Sequence, residues 1–247
     1  MGISITMIVQ DVHKVTGIRV GGVIPLSSVD YPGNLATVVF TQGCPWRCRY
    51  CHNSPLLEIE DVSAVRWERI LDFLKRRKGL LDGVVFSGGE PTLWPGLSSC
   101  IQDIRIMGFH AALHTNGAYP ERLAALLDEG LLNWVALDIK APFASYEKIT
   151  GVPDSGWEAS RSLDLVLASG VSFELRTTVH PEMITLDDLK IMAADLHDRG
   201  AQQMILQKCR FDYCLDPALR KPFIGQDAFL HQAQKTAGAI IGSALIR

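Results

Sequence analysis

The sequence predicts an α/β fold, an incomplete (β/α)6 barrel that stays open on one side and carries a short N-terminal β extension. Three observations predict it. Short β-rich apolar runs alternate with helical segments six times and without an obvious linker, the pattern of one parallel sheet with helices outside. Six such units are too few for the usual eight-stranded closure. Polar residues follow the apolar core of one strand after another, where barrels of this kind build their sites. A flat doubly wound sheet has the same rhythm and is the alternative.

Residues 1–34 precede the rhythm and read as an extension packed on the barrel; residues 35–247 read as one domain. In the extension, Ile18-Arg19-Val20 and Val23-Ile24-Pro25-Leu26 are expected to form a hairpin through Gly21-Gly22, and Tyr31-Pro32-Gly33-Asn34 a turn. The first repeat strand is Leu35–Phe40. The helix after it places Trp67, Ile70, Leu71 and Leu74 on one face. Gly83–Phe86 is the second strand, with a helix near Leu97, Ile101 and Ile104. Phe109–Leu113 is the third, with a helix over Pro120–Glu129, and Trp134–Leu137 the fourth. A helix around Trp157–Ser169 precedes Phe173–Val179. Thr185-Leu186-Asp187-Asp188 has the form of a capping box opening the next helix. Met204–Leu206 is the sixth strand and Ala228–Ala237 the last helix.

Composition narrows the class. Of 247 residues, 47% are hydrophobic and 21% charged, enough apolar material for a sizeable core. The net charge of −3 gives no polyanion-binding surface, so no nucleic-acid partner is expected. The basic run Lys75-Arg76-Arg77-Lys78 sits at a predicted helix end, where cations complement the dipole. No apolar run has membrane-spanning length and the N-terminus lacks a signal-peptide pattern. Six cysteines in such a chain fit a reducing interior, and a cytoplasmic location is expected.

The chemistry centres on Thr41-Gln42-Gly43-Cys44-Pro45-Trp46-Arg47-Cys48-Arg49-Tyr50-Cys51-His52-Asn53, which spaces its thiols C-x3-C-x2-C. Thiolates suit zinc or iron–sulfur clusters. A [4Fe–4S] cube has four irons and this loop supplies three sulfurs, which leaves one iron for a small molecule. A zinc site usually takes four ligands, often as two separated pairs. His52 adjoins Cys51, and adjacent side chains diverge, so a Cys3His site from this loop alone is awkward.

The loop resembles the cluster loop of the radical S-adenosylmethionine (SAM) superfamily. Its flanks, Ile24–Gly33, Thr41-Gln42-Gly43 and Cys51-His52-Asn53, resemble those of the glycyl-radical activating branch, closest to the anaerobic ribonucleoside-triphosphate reductase activating proteins. The likeness runs from about Gly17 to about Cys214. It implies a laterally open radical-SAM barrel, a [4Fe–4S] cluster held by Cys44, Cys48 and Cys51, and SAM bound at the remaining iron.

Further motifs follow the strands. Ser87-Gly88-Gly89-Glu90-Pro91 lacks the Lys-Ser/Thr ending of a phosphate loop, and a Gly-Gly turn can be only a turn. By resemblance, Gly88, Gly89 and Glu90 form the motif that holds the methionyl amino group. Asp138 and Lys140 are two apart, which puts both on one face of an extended strand. They can neutralise each other, or take the ligand's ammonium and carboxylate respectively, as the similar Asp-x-Lys of activating enzymes implies. Arg176 shares a face with Glu174 and Thr178, for an internal ion pair or a carboxylate contact. Thr115-Asn116-Gly117 matches the branch, but His114 stands where its members usually carry Asp, and a hydrogen-bonded structural histidine is expected there. Trp46 and Tyr50 either screen the cofactors or only pack. Gln207-Lys208 ends the sixth strand. Cys209 and Cys214 read as free thiols and Cys100 as core.

What the resemblance implies is reductive cleavage of SAM to methionine and a 5′-deoxyadenosyl radical, which takes hydrogen from a glycine of a partner protein. The expected partners are an anaerobic (class III) ribonucleotide reductase and a flavodoxin- or ferredoxin-like electron donor. A small-molecule radical enzyme resembling 7-carboxy-7-deazaguanine synthase, and a non-catalytic iron–sulfur or zinc binding protein, are the alternatives.

Overall fold

The structure is a computed structural model and describes residues 17–59 and 65–247. Eight strands form one sheet whose spatial order is their chain order: β1 (Val20–Ser27), β2 (Ala36–Thr41), β3 (Gly83–Gly88), β4 (His110–Thr115), β5 (Trp134–Asp138), β6 (Ser172–Val179), β7 (Gln203–Lys208) and β8 (Ser243–Ile246). β1 pairs antiparallel with β2, and every later pair is parallel. β1 and β8 do not pair with each other, so the sheet is open, as six repeats require.

The helices are crossovers between parallel strands: α1 (Trp67–Lys75), α2 (Leu97–Ile106), α3 (Pro120–Asp128), α4 (Glu147–Thr150), α5 (Ser155–Ala168), α6 (Leu186–Asp198) and α7 (Gln226–Ile241). Their buried faces follow helical spacing, such as Trp67, Ile70 and Leu74 on α1 or Leu97, Cys100, Ile101 and Ile104 on α2. Thr185 and Asp188 form the reciprocal capping box that starts α6. Lys75 lies in the last turn of α1, beside the negative end of its dipole.

Two expectations are corrected. Gly21-Gly22 does not turn; β1 runs through it as one strand. A Cβ on Gly21 would meet Leu56 Cδ2 at 2.4 Å, so the small residue serves the loop that crosses the strand. Beyond the predicted last helix, the chain adds β8 to the edge of β7.

Strand periodicity separates two apolar layers. The larger lies between the sheet and its helices. The smaller comprises Tyr31, Ala36, Val38, Val85, Ala112, Trp134 and Ala136 on the other face. Two residues further along the same strands stand Phe40, His114 and Asp138, which line a cavity. The concave face therefore changes from an apolar floor to a polar site along each strand. Tyr31 and Trp134 meet in that floor, with ring centroids 5.7 Å apart.

Candidate active site

The cysteine loop leaves β2 at Thr41 and is held by backbone bonds along its length. Gly43 N–H donates to Leu56 O at 2.7 Å and Cys44 N–H to Leu57 O at 3.2 Å. Arg47 and Arg49 N–H groups donate to the Thr150 and Ile149 carbonyls of α4, whose last turn leaves such acceptors unpaired. Trp46 is buried edge-on against Tyr146, with centroids 5.7 Å apart. These contacts face Cys44, Cys48 and Cys51 onto one wall of a cavity of about 460 Å³.

The turn after β3 closes against this loop. Gly89 N–H donates to Thr41 O at 2.9 Å and Glu90 N–H to Gly43 O at 2.8 Å. A side chain at either glycine would collide with backbone: Cβ at Gly88 would stand 2.3 Å from Thr41 N, and at Gly89 2.2 Å from Gly43 O. Both glycines line the cavity. Glu90 is 0% exposed and turned beneath it. Its Oε1 accepts from Thr92 N–H (2.9 Å), Thr92 Oγ1 (2.6 Å) and Thr115 Oγ1 (2.7 Å), and its Oε2 from Asn116 N–H (2.8 Å). Burial raises its carboxyl pKa against the pull of these donors. Glu90 thus fixes the orientation of Thr115 and Asn116, which reach the cavity. Asn116 Nδ2 lies 3.5 Å from Cys44 Sγ.

Asp138, Lys140 and Arg176 line the same cavity. Lys140 Nζ donates to Asp138 Oδ2 at 3.0 Å. Burial works against the lysine's charge, but Asp138 and its other neighbours outweigh it and its pKa stands well above the ordinary value. Arg176 Nε pairs with Glu174 at 3.1 Å, and its guanidinium lies 5.0 Å from the Trp134 ring centre. Its Nη2 is buried without a partner, as is the Tyr50 hydroxyl. Both residues line the cavity.

His114 Nε2 lies 2.8 Å from the Asp30 carbonyl, which can only accept, so Nε2 carries the proton. Burial, then Arg176, lowers its pKa to about 4. At neutral pH it is an uncharged imidazole at the cavity.

The family model described as the Radical SAM superfamily matches residues 38–196, which contain the cysteine loop, the Gly-Gly turn and the Asp138–Lys140 wall. This chain belongs to the radical SAM superfamily. A Methanocaldococcus jannaschii protein named as a glycyl-radical enzyme activating enzyme is 29% identical over 92% of this chain and 95% of its own length. The pyruvate formate-lyase-activating enzyme of Clostridium pasteurianum is 34% identical over 70% of this chain and 71% of its own. These relatives put the radical SAM enzyme described here in the activating branch. Streptococcus suis SuiB, solved bound to precursor peptide SuiA, shares the fold with a TM-score of 0.61 at 13% identity. That match covers 85% of this chain and 48% of SuiB.

Membership implies a [4Fe–4S] cluster and SAM, and the residues of this radical SAM site fit both. The three thiol residues line one cavity with Arg176 and Tyr50, each of which carries a buried polar atom without a partner, Arg176 Nη2 and Tyr50 Oη. Among the described residues, the set of three metal-binding donors drawn within 4.8 Å of one another is His180, Cys209 and Cys214. Burial pushes Cys44 up to about 12 and Cys48 to about 11, and raises Cys51 as well; Lys140 opposes the rise at all three.

Of the residues singled out from sequence, Cys44, Cys48, Cys51, Gly88, Gly89, Thr115, Asn116, Asp138, Lys140 and Arg176 line the cavity, and Glu90 lies under it. Sequence reading missed Asp30, Asn53, Thr178 and Arg210 as cavity residues. Asn53 had a usable signal, since it ends the loop motif; its Nδ2 donates to Gly88 O at 3.2 Å. Thr178 shares a strand face with Arg176, the same period-2 signal.

Proposed function

We propose that Cys44, Cys48 and Cys51 hold a [4Fe–4S] cluster whose remaining iron takes SAM, and that the enzyme generates a glycyl radical on an anaerobic (class III) ribonucleotide reductase. The observation that supports this reading is one cavity lined by three thiol residues together with a Lys140–Asp138 pair and Arg176. Cluster and SAM together supply reductive cleavage of the sulfonium, which yields a 5′-deoxyadenosyl radical.

The protein's part is to bind, orient and shield. Lys140 and Arg176 carry the positive charge that suits the ligand's carboxylate, and Asp138 the negative charge that suits its ammonium. Gly88 and Gly89 let backbone approach the same end, and Glu90 acts below as a positioning residue. Thr115 and Asn116 add polar contacts beside Cys44. Trp46 and Tyr50, both buried, limit water at the cluster wall.

The branch of the superfamily and the open side of the sheet support a protein substrate, since a peptide loop needs a lateral entrance. The flanking motifs around the cysteine loop support the reductase as partner. A flavodoxin- or ferredoxin-like donor supplies the electron, and the cytoplasm is the reducing setting that this chemistry needs. The test is electron paramagnetic resonance of the reconstituted enzyme mixed with SAM, dithionite and candidate reductase. A glycyl-radical doublet is expected. Turnover of a small substrate without that signal favours the enzyme class resembling 7-carboxy-7-deazaguanine synthase.

A further inference from the structure

Cys209 and Cys214 lie outside the cluster loop, and neither lines the cavity. Their surroundings are set by the sheet. β6 and β7 run parallel with Val179 opposite Lys208, so the next residues, His180 and Cys209, leave the sheet side by side. A helical turn at Phe211–Tyr213 then folds the chain back and brings Cys214 Sγ to 3.7 Å from Cys209 Sγ. The donor atoms of His180, Cys209 and Cys214 all lie within 4.8 Å of one another, and the residues are 1%, 2% and 0% exposed.

We propose that Cys209, Cys214 and His180 form a second metal site, specific for zinc and separate from the iron–sulfur loop. The geometry is that of one shared ion. Zn–S bonds of about 2.3 Å in a tetrahedron place two thiolates roughly 3.8 Å apart, against the 3.7 Å found here. A disulfide would need about 2.05 Å. Two thiolates with imidazole are a zinc donor set, whereas an iron–sulfur cube takes at least three cysteines, as the loop supplies.

The histidine is already oriented as metal-bound imidazoles are. His180 Nε2 donates to Leu219 O at 3.2 Å and Nδ1 accepts from Glu182 N–H at 3.2 Å. Zinc taken up by Nδ1, in place of the Glu182 N–H, leaves Nε2–H its Leu219 carbonyl, which fixes the ring. His52 stands at the rim, with Nε2 3.6 Å from Cys209 Sγ while it accepts from Arg210 N–H at 3.1 Å. His52 itself stays outside the set of three, held by the Arg210 amide, and the fourth position of a tetrahedral zinc is left open.

Such a site would tie two parts of the active-site wall together. The segment after β7 supplies Arg210 to the cavity, and Asp216 binds Arg49 of the cysteine loop at 2.7 Å. His180 follows β6. Zinc there would lock this segment against the end of β6 without taking part in the chemistry.

The test uses the full chain in two forms prepared anaerobically: the cluster-reconstituted enzyme, and a Cys44→Ala/Cys48→Ala/Cys51→Ala variant that removes the competing loop thiols. Elemental analysis is expected to find one zinc per chain in both. Cobalt(II) added to the zinc-stripped triple variant is expected to give the intense visible bands of tetrahedral cobalt and a thiolate charge-transfer band. Adding Cys209→Ser or Cys214→Ser should lower metal content at least tenfold, and His180→Ala should weaken cobalt binding. The cobalt spectrum of the triple variant stands even where a further substitution impairs folding. Absence of zinc and of those cobalt bands overturns the proposal. So does metal content unchanged by the double Cys209→Ser/Cys214→Ser variant, or a Cys209–Cys214 disulfide in the anaerobic enzyme.

Discussion

Glu90 Oε2 accepts the backbone N–H of Asn116 at 2.8 Å, joining the turn after β3 to the turn after β4 beneath the active-site cavity. The carboxylate has no exposure to solvent, and its other oxygen already receives three donors. Glu90→Gln must leave two donors facing each other, whichever way the amide is turned. Loss of a buried acceptor costs about 2–3 kcal/mol, which for a domain of this size lowers the melting temperature by roughly 4–12 °C. Thermal unfolding of the cluster-free protein measures it, and SAM affinity should fall with it as Asn116 loses its orientation.

Lys140 is the cation facing all three loop thiols, and it opposes the rise that burial imposes on each. Lys140→Met removes that charge at nearly constant length. Slower and incomplete cluster assembly is expected, read as iron and sulfide per chain during anaerobic reconstitution. Asp138 is partly exposed, so water takes over as its partner and folding stability changes little.

Arg176 carries a buried N–H without a partner at the cavity wall. A charged hydrogen bond contributes about 1.5–3 kcal/mol, so Arg176→Gln is expected to weaken SAM binding by roughly 10- to 100-fold. Arg247 holds Glu174 through two contacts at 2.8 and 2.9 Å, so the glutamate keeps a partner in the variant. Equilibrium binding to the reconstituted enzyme, compared with its melting temperature, separates lost ligand contact from lost structure.

Cluster-free enzyme is expected to lose stability in alkali. Cys44 and Cys48 titrate near 12 and 11 in the folded chain, against 9.0 for a free thiol. Between those values the folded state holds more protons than the unfolded state, so stability falls as pH rises above about 9. Below pH 9 both states are protonated and the effect vanishes. Urea midpoints of the cluster-free chain at pH 8 and pH 10 should differ more than those of the Cys44→Ala/Cys48→Ala variant.

The sequence foretold the six β/α units because each strand is a run of β-branched or apolar residues closed by a helix with regular spacing. β8 was not legible, since four residues at a sheet edge give too short a pattern. Gly21-Gly22 was misread because a glycine pair signals a turn equally well as a close approach, and the approach of Leu56 comes from a distant loop. In the site, the three cysteines and the Asp138–Lys140 pair were visible from spacing alone. The depth of Glu90 was not, because its four donors come from two separate turns. The meeting of His180 with Cys209 and Cys214 was hidden for the same reason: parallel β6 and β7 bring together residues nearly thirty positions apart.

The most direct measurement is the product analysis of anaerobically reconstituted enzyme supplied with dithionite and SAM. 5′-Deoxyadenosine and methionine are expected in equal amounts, and both are expected to be lost in Cys48→Ala. An intact four-iron cluster that leaves SAM unconsumed, or cleavage that survives Cys48→Ala, would contradict reductive cleavage at this cluster.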